Sequence, residues 1–252
     1  MADKHKTELY SLLMEITPSR SPARSWYIRA AARYRRMGIS SLDDLLEAYP
    51  KFTRREKFVA LNLFMRARFK EAMELVFSEF ESEDNLIAGA ASAAAGLMAD
   101  RKAFLRIRRI LERPRRREVF YRAIAALAVV HRKDLMQIAV QDLLKILERR
   151  PTDKEARALA VDSLTNLLAD VDKRTKVFRK TKRVLIRCLS DRSPEVRASA
   201  AHAIGELRIR EGRRKLAQLS KVDSGWVRGL GTVAKIAREA LEKLAVRPTK
   251  RT

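Results

Sequence analysis

Several things are scarce in this 252-residue chain. There is one cysteine, Cys188, which excludes a disulfide framework and a cysteine-based zinc site. Glycine (8) and proline (7) are both few, which argues against a β-sandwich, a collagen-like fibre or a flexible linker protein. Aromatic residues make up 6%, too few for a broad stacking platform. Long apolar runs are missing as well: the uncharged stretch Leu86–Ala99 is 14 residues of mostly Ala and Gly, whereas a membrane span needs about 20 strongly apolar residues. It reads as a buried, closely packed helix. The start, Met1–Tyr10, is charged and shows no apolar signal segment, so the expected location is the cytoplasm.

What the chain does have is base. Lys and Arg total 55 against 31 Asp and Glu, a net charge of +24, and 46% of residues are hydrophobic, enough for one or two domains with a real core. By segment, residues 101–252 hold +23, while 53–100 hold −2; from Glu71 to Asp100 there are seven acids and no base. A field of this sign favours polyanions and weakens with salt.

Apolar residues recur at three- and four-residue spacing along nearly the whole chain, and no segment alternates with period two, so helices are expected throughout and no sheet. Start and stop signals divide the chain into about fourteen helices, near 4–15, 22–37, 41–49, 53–67, 69–81, 84–99, 101–113, 116–131, 133–149, 152–169, 173–190, 193–208, 210–221 and 229–245. Ser21-Pro22 and Ser193-Pro194 supply a cap followed by Pro at the first helical position. Thr53…Glu56 and Thr152…Glu155 have the spacing of capping boxes. Gly38 suits a helix C-terminus.

These helices repeat in pairs. Val196, Ala200, Ile204 and Leu207 have counterparts at Ala156, Ala160, Leu164 and Leu167. The same template fits Val119, Ala123, Leu127 and Val130, then Ile87, Ala91, Ala95 and Met98, and again Val233, Ala237, Leu241 and Leu244. The anchors 87, 119, 156, 196 and 233 stand 32 to 40 residues apart, each in the second helix of a pair. Small Ala residues at the centre let neighbouring helices approach, and the larger residues at the edges fill the layer between repeats. A lone pair cannot bury both faces; stacked pairs can. The expected fold is all-α, a right-handed α-solenoid of about five to six helix pairs over 53–245, with an N-terminal helical cap at 1–52 and a basic disordered tail at 246–252.

The segment Ser190–Leu207 resembles a HEAT repeat, of the kind also found in phycobilisome-lyase-type HEAT-like proteins. The matching residues are Asp191, Pro194, Val196, Arg197, Ala200, Ala201, Ala203, Ile204, Gly205 and Leu207. Residues 152–169 are a fair match that has Thr165 where the Gly stands. The resemblance implies a binding scaffold without a fixed activity. It also implies that Arg157 and Arg197 are structural, each bonding an acid or a helix-end carbonyl of a neighbouring repeat.

Three basic clusters form the candidate polyanion-binding set. The first is Arg106, Arg109 and Arg113 on one helix face, followed by Arg115, Arg116 and Arg117 in the turn. The second is the stripe Lys176, Arg179, Lys180, Arg183 and Arg187. The third surrounds Arg213 and Arg214. All belong to first helices or turns. In HEAT-like stacking the second helices line the concave face, so these stripes are expected on the convex face or one edge. Trp26, Ala30 and Met37 are expected to pack the first helices against the first repeat, Trp226 to cap the far end of the stack, His202 to lie at the core edge, and Cys188 to be a buried, inert thiol.

No catalytic constellation stands out: there is no Gly-rich phosphate loop, no His-Glu-x-x-His and no Gly-x-Ser-x-Gly. The reading is a non-enzymatic, monomeric scaffold with no cofactor, metal, membrane or small-molecule substrate, docking nucleic acid or an acidic protein. The alternatives are a protein–protein adaptor using the inner helices and, behind it, a HEAT-like DNA glycosylase. The latter would need aromatics and a carboxylate on the inner helices, where this chain has no Trp.

Overall fold

The computed structural model describes residues 2–19, 23–114, 116–149, 153–169 and 171–245, and side chains from residue 9 onward, that of Arg149 excepted. Among them are fourteen α-helices: α1 (Ala2–Ile16), α2 (Arg24–Arg36), α3 (Leu42–Ala48), α4 (Arg54–Ala67), α5 (Met73–Phe80), α6 (Asn85–Leu97), α7 (Arg101–Glu112), α8 (Arg117–Leu127), α9 (Lys133–Arg149), α10 (Lys154–Leu168), α11 (Lys176–Cys188), α12 (Pro194–Glu206), α13 (Arg213–Val222) and α14 (Val233–Ala245). The all-α expectation holds with one departure. Trp226–Val227 (β1) and Gly231–Thr232 (β2) pair antiparallel, and α14 starts at Val233 instead of 229. The cause is local: Gly229 and Gly231 adopt φ of 78° and 93°, a left-handed backbone that turns the chain back before a helix can begin. Helix α8 also stops early, at Leu127.

Most of the local signals act as expected; Ser193 differs, donating its hydroxyl to Glu195 and making no side-chain cap bond to α12. Glu56 accepts from the Thr53 N–H at 2.8 Å. Gly38 (φ 73°) closes α2, with the Ile39 N–H bonded to the Tyr34 carbonyl at 3.0 Å. Arg68 and Arg208 take the same left-handed role after α4 and α12, both at φ 52°, at the cost a side chain brings there. Asp153 caps α10, accepting from the Ala156 N–H at 3.0 Å. Ser21, Pro22, Thr152 and the tail 246–252 lie outside the described residues.

The chain forms two compact units, 1–126 and 127–252. In the first, α2, α4 and α6 pack in succession, α1 lies against α4, and α5 lies against α6. Its core is aromatic: Tyr34, Tyr49, Phe64, Phe80 and Phe104 are fully buried, and the Tyr34 hydroxyl donates to the Glu56 carbonyl at 2.7 Å. Tyr27, Ala30 and Tyr34, with Ala31, are what α2 buries. Trp26 is half-exposed edge-on to Phe58, and Met37, expected inside, faces solvent.

The second unit is built of alternating helices. The Ala-rich α10, α12 and α14 pack closely on one another in one layer; α9, α11 and α13 form the other layer, more widely spaced, each packed on its partner. The unit holds two aromatics, Phe178 and Trp226. Most of the repeat-template positions are buried, Ala156, Ala160, Leu164, Val196, Ala200, Ile204, Val233 and Ala237 among them, while Leu241 and Leu244 of the last helix are half-buried. Close approach peaks at Gly205, where an added Cβ would lie 2.9 Å from the Cα of Ala240. A backbone atom cannot swing aside, so Gly205→Val is expected to lower stability by about 1–3 kcal/mol despite glycine's poor helix propensity. Thermal unfolding checks this; an unchanged midpoint would mean the α12–α14 contact is looser than described.

Candidate polyanion-binding surface

Helix α11 is the most strongly segregated basic helix of the second unit. Thr175 caps it, accepting from the Phe178 N–H at 3.2 Å. Phe178, Thr181, Val184, Leu185 and Cys188 turn inward at helical spacing and are buried, so the Cys188 thiol lies inside as its position predicts. The same periodicity turns Lys176, Arg179, Lys180, Arg183 and Arg187 outward, and all five are exposed. Lys180 pairs with Glu148 of α9 at 2.9 Å. Lys176, Arg179, Arg183 and Arg187 have no ion-pair partner among the described residues.

Helix α13 adjoins α11 in the same layer. Lys182 of α11 pairs with Glu211, and Lys215 of α13 donates to the Ser190 hydroxyl. On α13, Arg213 and Arg214 are exposed and likewise have no ion-pair partner among the described residues. Where α11 turns toward α12, a cleft of about 350 Å³ is lined by Arg187, Arg192, Ser190, Asp191 and Leu147.

Acid in this unit is engaged with particular cations. Arg157, 3% exposed, holds Asp191 with both arms, Nε–Oδ2 at 3.2 Å and Nη2–Oδ1 at 2.9 Å. Arg197 grips Asp223 in the same way at 2.6 and 2.9 Å and also donates to the carbonyls of Asp191 and Arg192. Both arginines are thus the inter-repeat braces the resemblance implies. Burial alone would raise the Asp191 carboxyl, but Arg157 and the Ser193 N–H hold it below its usual value. The Lys154 ammonium and the Ser193 hydroxyl hold Glu195 down to about 2. Glu206 is lowered by Lys243, and Glu211 by Lys182. These carboxylates stay ionised and matched, leaving the α11 cations as the surplus.

The opposite layer is different. On α10 and α12 the solvent-facing residues include Asp162, Asn166, His202 and Glu206. His202, expected at the core edge, is exposed and sits 3.5 Å from Glu206. The third helix of that layer, α14, exposes Lys235, Arg238 and Lys243 beside Glu239 and Glu242, so the layer is mixed in charge.

In the first unit the remaining candidates meet the acidic segment. Arg106 bonds Glu74 at 2.7 Å and lies over the Phe77 ring at 4.1 Å. Arg116 donates to the Glu81 carbonyl and stands 3.8 Å from Glu83. Arg122 donates to the carbonyls of Phe80 (3.0 Å) and Ser82 (2.7 Å), so it and Arg116 satisfy carbonyls at and just beyond the end of α5. Arg54 pairs with Asp84, and Lys57 with Glu79 at 3.2 Å. The acidic patch of 71–84 is therefore largely neutralised within its own unit. Arg109 and Arg113 are exposed without an ion-pair partner among the described residues, Arg117 lies 5.3 Å from the Tyr121 ring, and Arg115 lies outside the described residues.

A further expectation is overturned. Trp226 does not cap the stack; it is 68% exposed on β1, and Arg228 beyond it is exposed too. Gly229 and Gly231, two residues apart beside Trp226-Val227, were the available signal for a hairpin. Among the described residues there is no cluster of metal-ligating side chains, and no helix is long and apolar enough to cross a membrane.

Comparison with known proteins adds the following. Residues 140–242 match the sequence profile of HEAT repeats. No curated protein matches. The crystal structure of an engineered protein aligns over 94% of this chain and 67% of its own, at 18% identity and a TM-score of 0.45. Over residues 140–242, where the Ala template and the paired helices recur, the chain is similar to HEAT repeats.

Proposed function

We propose that this protein is a non-enzymatic HEAT-type scaffold whose α11–α13 face docks a polyanion, and that the polyanion is nucleic acid. The observation that carries this reading is the charge surplus on one layer of the second unit: Lys176, Arg179, Arg183, Arg187, Arg213 and Arg214 stand exposed without ion-pair partners among the described residues, while Glu148, Asp191 and Glu211 beside them are matched to other cations. Exposed, unmatched guanidinium groups suit phosphate because they donate in a planar fork. Regular helical spacing offers a row of such groups and no base-reading element, so the binding is by backbone charge and tolerant of sequence.

The test is a titration with single-stranded and duplex oligonucleotides at about 50 mM salt, repeated at about 200 mM. Binding that falls by orders of magnitude between the two is the expected result, because each neutralised phosphate releases counterions. No binding at the lower salt removes the reading. Binding of acidic polypeptide in preference to oligonucleotide would move it to an acidic protein. The acid-and-neutral surface of α10 and α12 supports a second reading, an adaptor that binds a protein there; such a complex would be insensitive to salt and to changes on α11.

A further inference from the structure

The hairpin between α13 and α14 carries an exposed indole that core packing does not explain. The second unit contains two aromatic residues, and one of them, Trp226, is left 68% exposed. Val222 (74%) and Leu230 (58%) are exposed on the same short segment, whereas Val227, on the other side of the strand, is buried. Alternation along a strand accounts for this: Val227 points at α12, so Trp226 and the residue after Val227 point away. Burying an indole is among the larger apolar gains open to a small fold, and here it is forgone.

The indole is also held on a firm mount. Asp223, gripped by Arg197, accepts from the Gly225 N–H at 3.0 Å. The Val233 N–H bonds the Gly225 carbonyl at 2.9 Å, and the Ala234 N–H bonds the Asp223 carbonyl at 3.1 Å. Gly225 lies so close to α12 that a Cβ there would stand 2.8 Å from Pro194. Trp226 thus projects from a segment tied at its base to the repeat stack, and the order that a loop would lose on binding is already in place.

The surroundings of the indole are basic. In the chain Lys221 precedes it and Arg228 follows it, both exposed and without an ion-pair partner among the described residues. The acid nearest in sequence, Asp223, is matched to Arg197, whose hydrogen bonds hold its carboxyl below the usual range. Two copies of the chain meeting through this patch would bring Lys221 and Arg228 against their own kind. A flat aromatic face between unmatched cations instead suits a base stacked on the ring with its phosphates beside the cations.

We infer that Trp226 is a stacking site for one unpaired base, so that the scaffold takes single-stranded nucleic acid in preference to duplex. This rests on the nucleic-acid reading above and adds to it the class of nucleic acid and the residue that selects it.

The chain has two tryptophans, so Trp26→Phe, which keeps a ring on Phe58, leaves Trp226 as the sole indole. In that background, titration with an oligothymidylate at about 50 mM salt is expected to quench the fluorescence, in a regime where phosphate contacts are strong. Trp226→Ala is expected to weaken single-strand binding about 5- to 150-fold, the loss of one stacked base. It should leave the salt dependence unchanged, since no charge is removed, and Trp226→Phe should retain most of the affinity. Trp226 is exposed, so neither change threatens the fold; circular dichroism confirms that. Oligonucleotide binding with unchanged fluorescence and no loss in Trp226→Ala would overturn the stacking site and leave the α11 reading standing. Equal quenching by polyglutamate, or quenching on concentrating the protein alone, would overturn it in favour of an acidic protein or a second copy. No oligonucleotide binding at all overturns the parent reading as well.

Discussion

Replacing Arg157 with Ala is expected to cost about 3–5 kcal/mol and to lower the unfolding midpoint by roughly 10 °C. The size follows from burial. Arg157 is 3% exposed and holds Asp191 through two parallel bonds. Removing one member of a buried pair leaves the other charged without a partner, which costs far more than the pair itself contributes. Asp191 also accepts from the Ser193 N–H at the start of α12, so the change loosens the cap region of the next repeat. Two companions make the result specific. Arg157→Lys should fall between, because an ammonium cannot make both bonds at once. Joint replacement by apolar residues, Arg157→Met with Asp191→Leu, should recover much of the loss, because no orphan charge remains. Differential scanning calorimetry decides the matter, and an Arg157→Ala midpoint equal to that of the parent would show that the pair braces nothing.

The second large effect is on binding. Joint replacement of Arg179, Arg183 and Arg187 by Ala is expected to reduce affinity for single-stranded nucleic acid about 10²- to 10³-fold at roughly 50 mM salt. With a slope of about −0.7 per phosphate in single strands, each contact is worth close to eightfold at that salt. The slope of log affinity against log salt should also fall by about two. All three side chains are exposed on the outer face of α11, away from Phe178, Val184 and Leu185, so stability should hold within about 0.5 kcal/mol. A matched set from the first unit gives the contrast. Arg106 and Arg116 are already engaged with Glu74 and with the Glu81 carbonyl and Glu83, so their loss should affect binding less. Equal losses per replaced cation from the three α11 residues and from these two would mean that net charge, and not the α11 face, governs binding.

The helix pairs were readable because their causes are local and periodic. The template of Ala at the centre with Val, Ile and Leu at the edges recurs every 32 to 40 residues, and its anchors are buried. The basic stripe of α11 was readable for the same reason: helical spacing fixes which residues share a face. What escaped were features set by contacts between distant residues. Arg106 and Arg183 look alike in sequence, yet Glu74 lies 32 residues before Arg106 and pairs with it, while Arg183 has no such acid. Trp226 reads as a cap over the end of the stack because an apolar residue there has somewhere to pack, and only the hairpin geometry shows that it points away.

By itself, then, the sequence determined that the chain is helical, that its helices pair and repeat, and that residues 101–252 carry almost all of the net positive charge. Composition and period suffice for that, since they act through helix formation and burial of one face. The tertiary structure decided which cations remain available to a partner and where the exposed aromatic stands. Those depend on ion pairs and strand pairing between segments far apart in the chain, and a +1 charge in the sequence reads the same whether or not folding brings an acid to meet it.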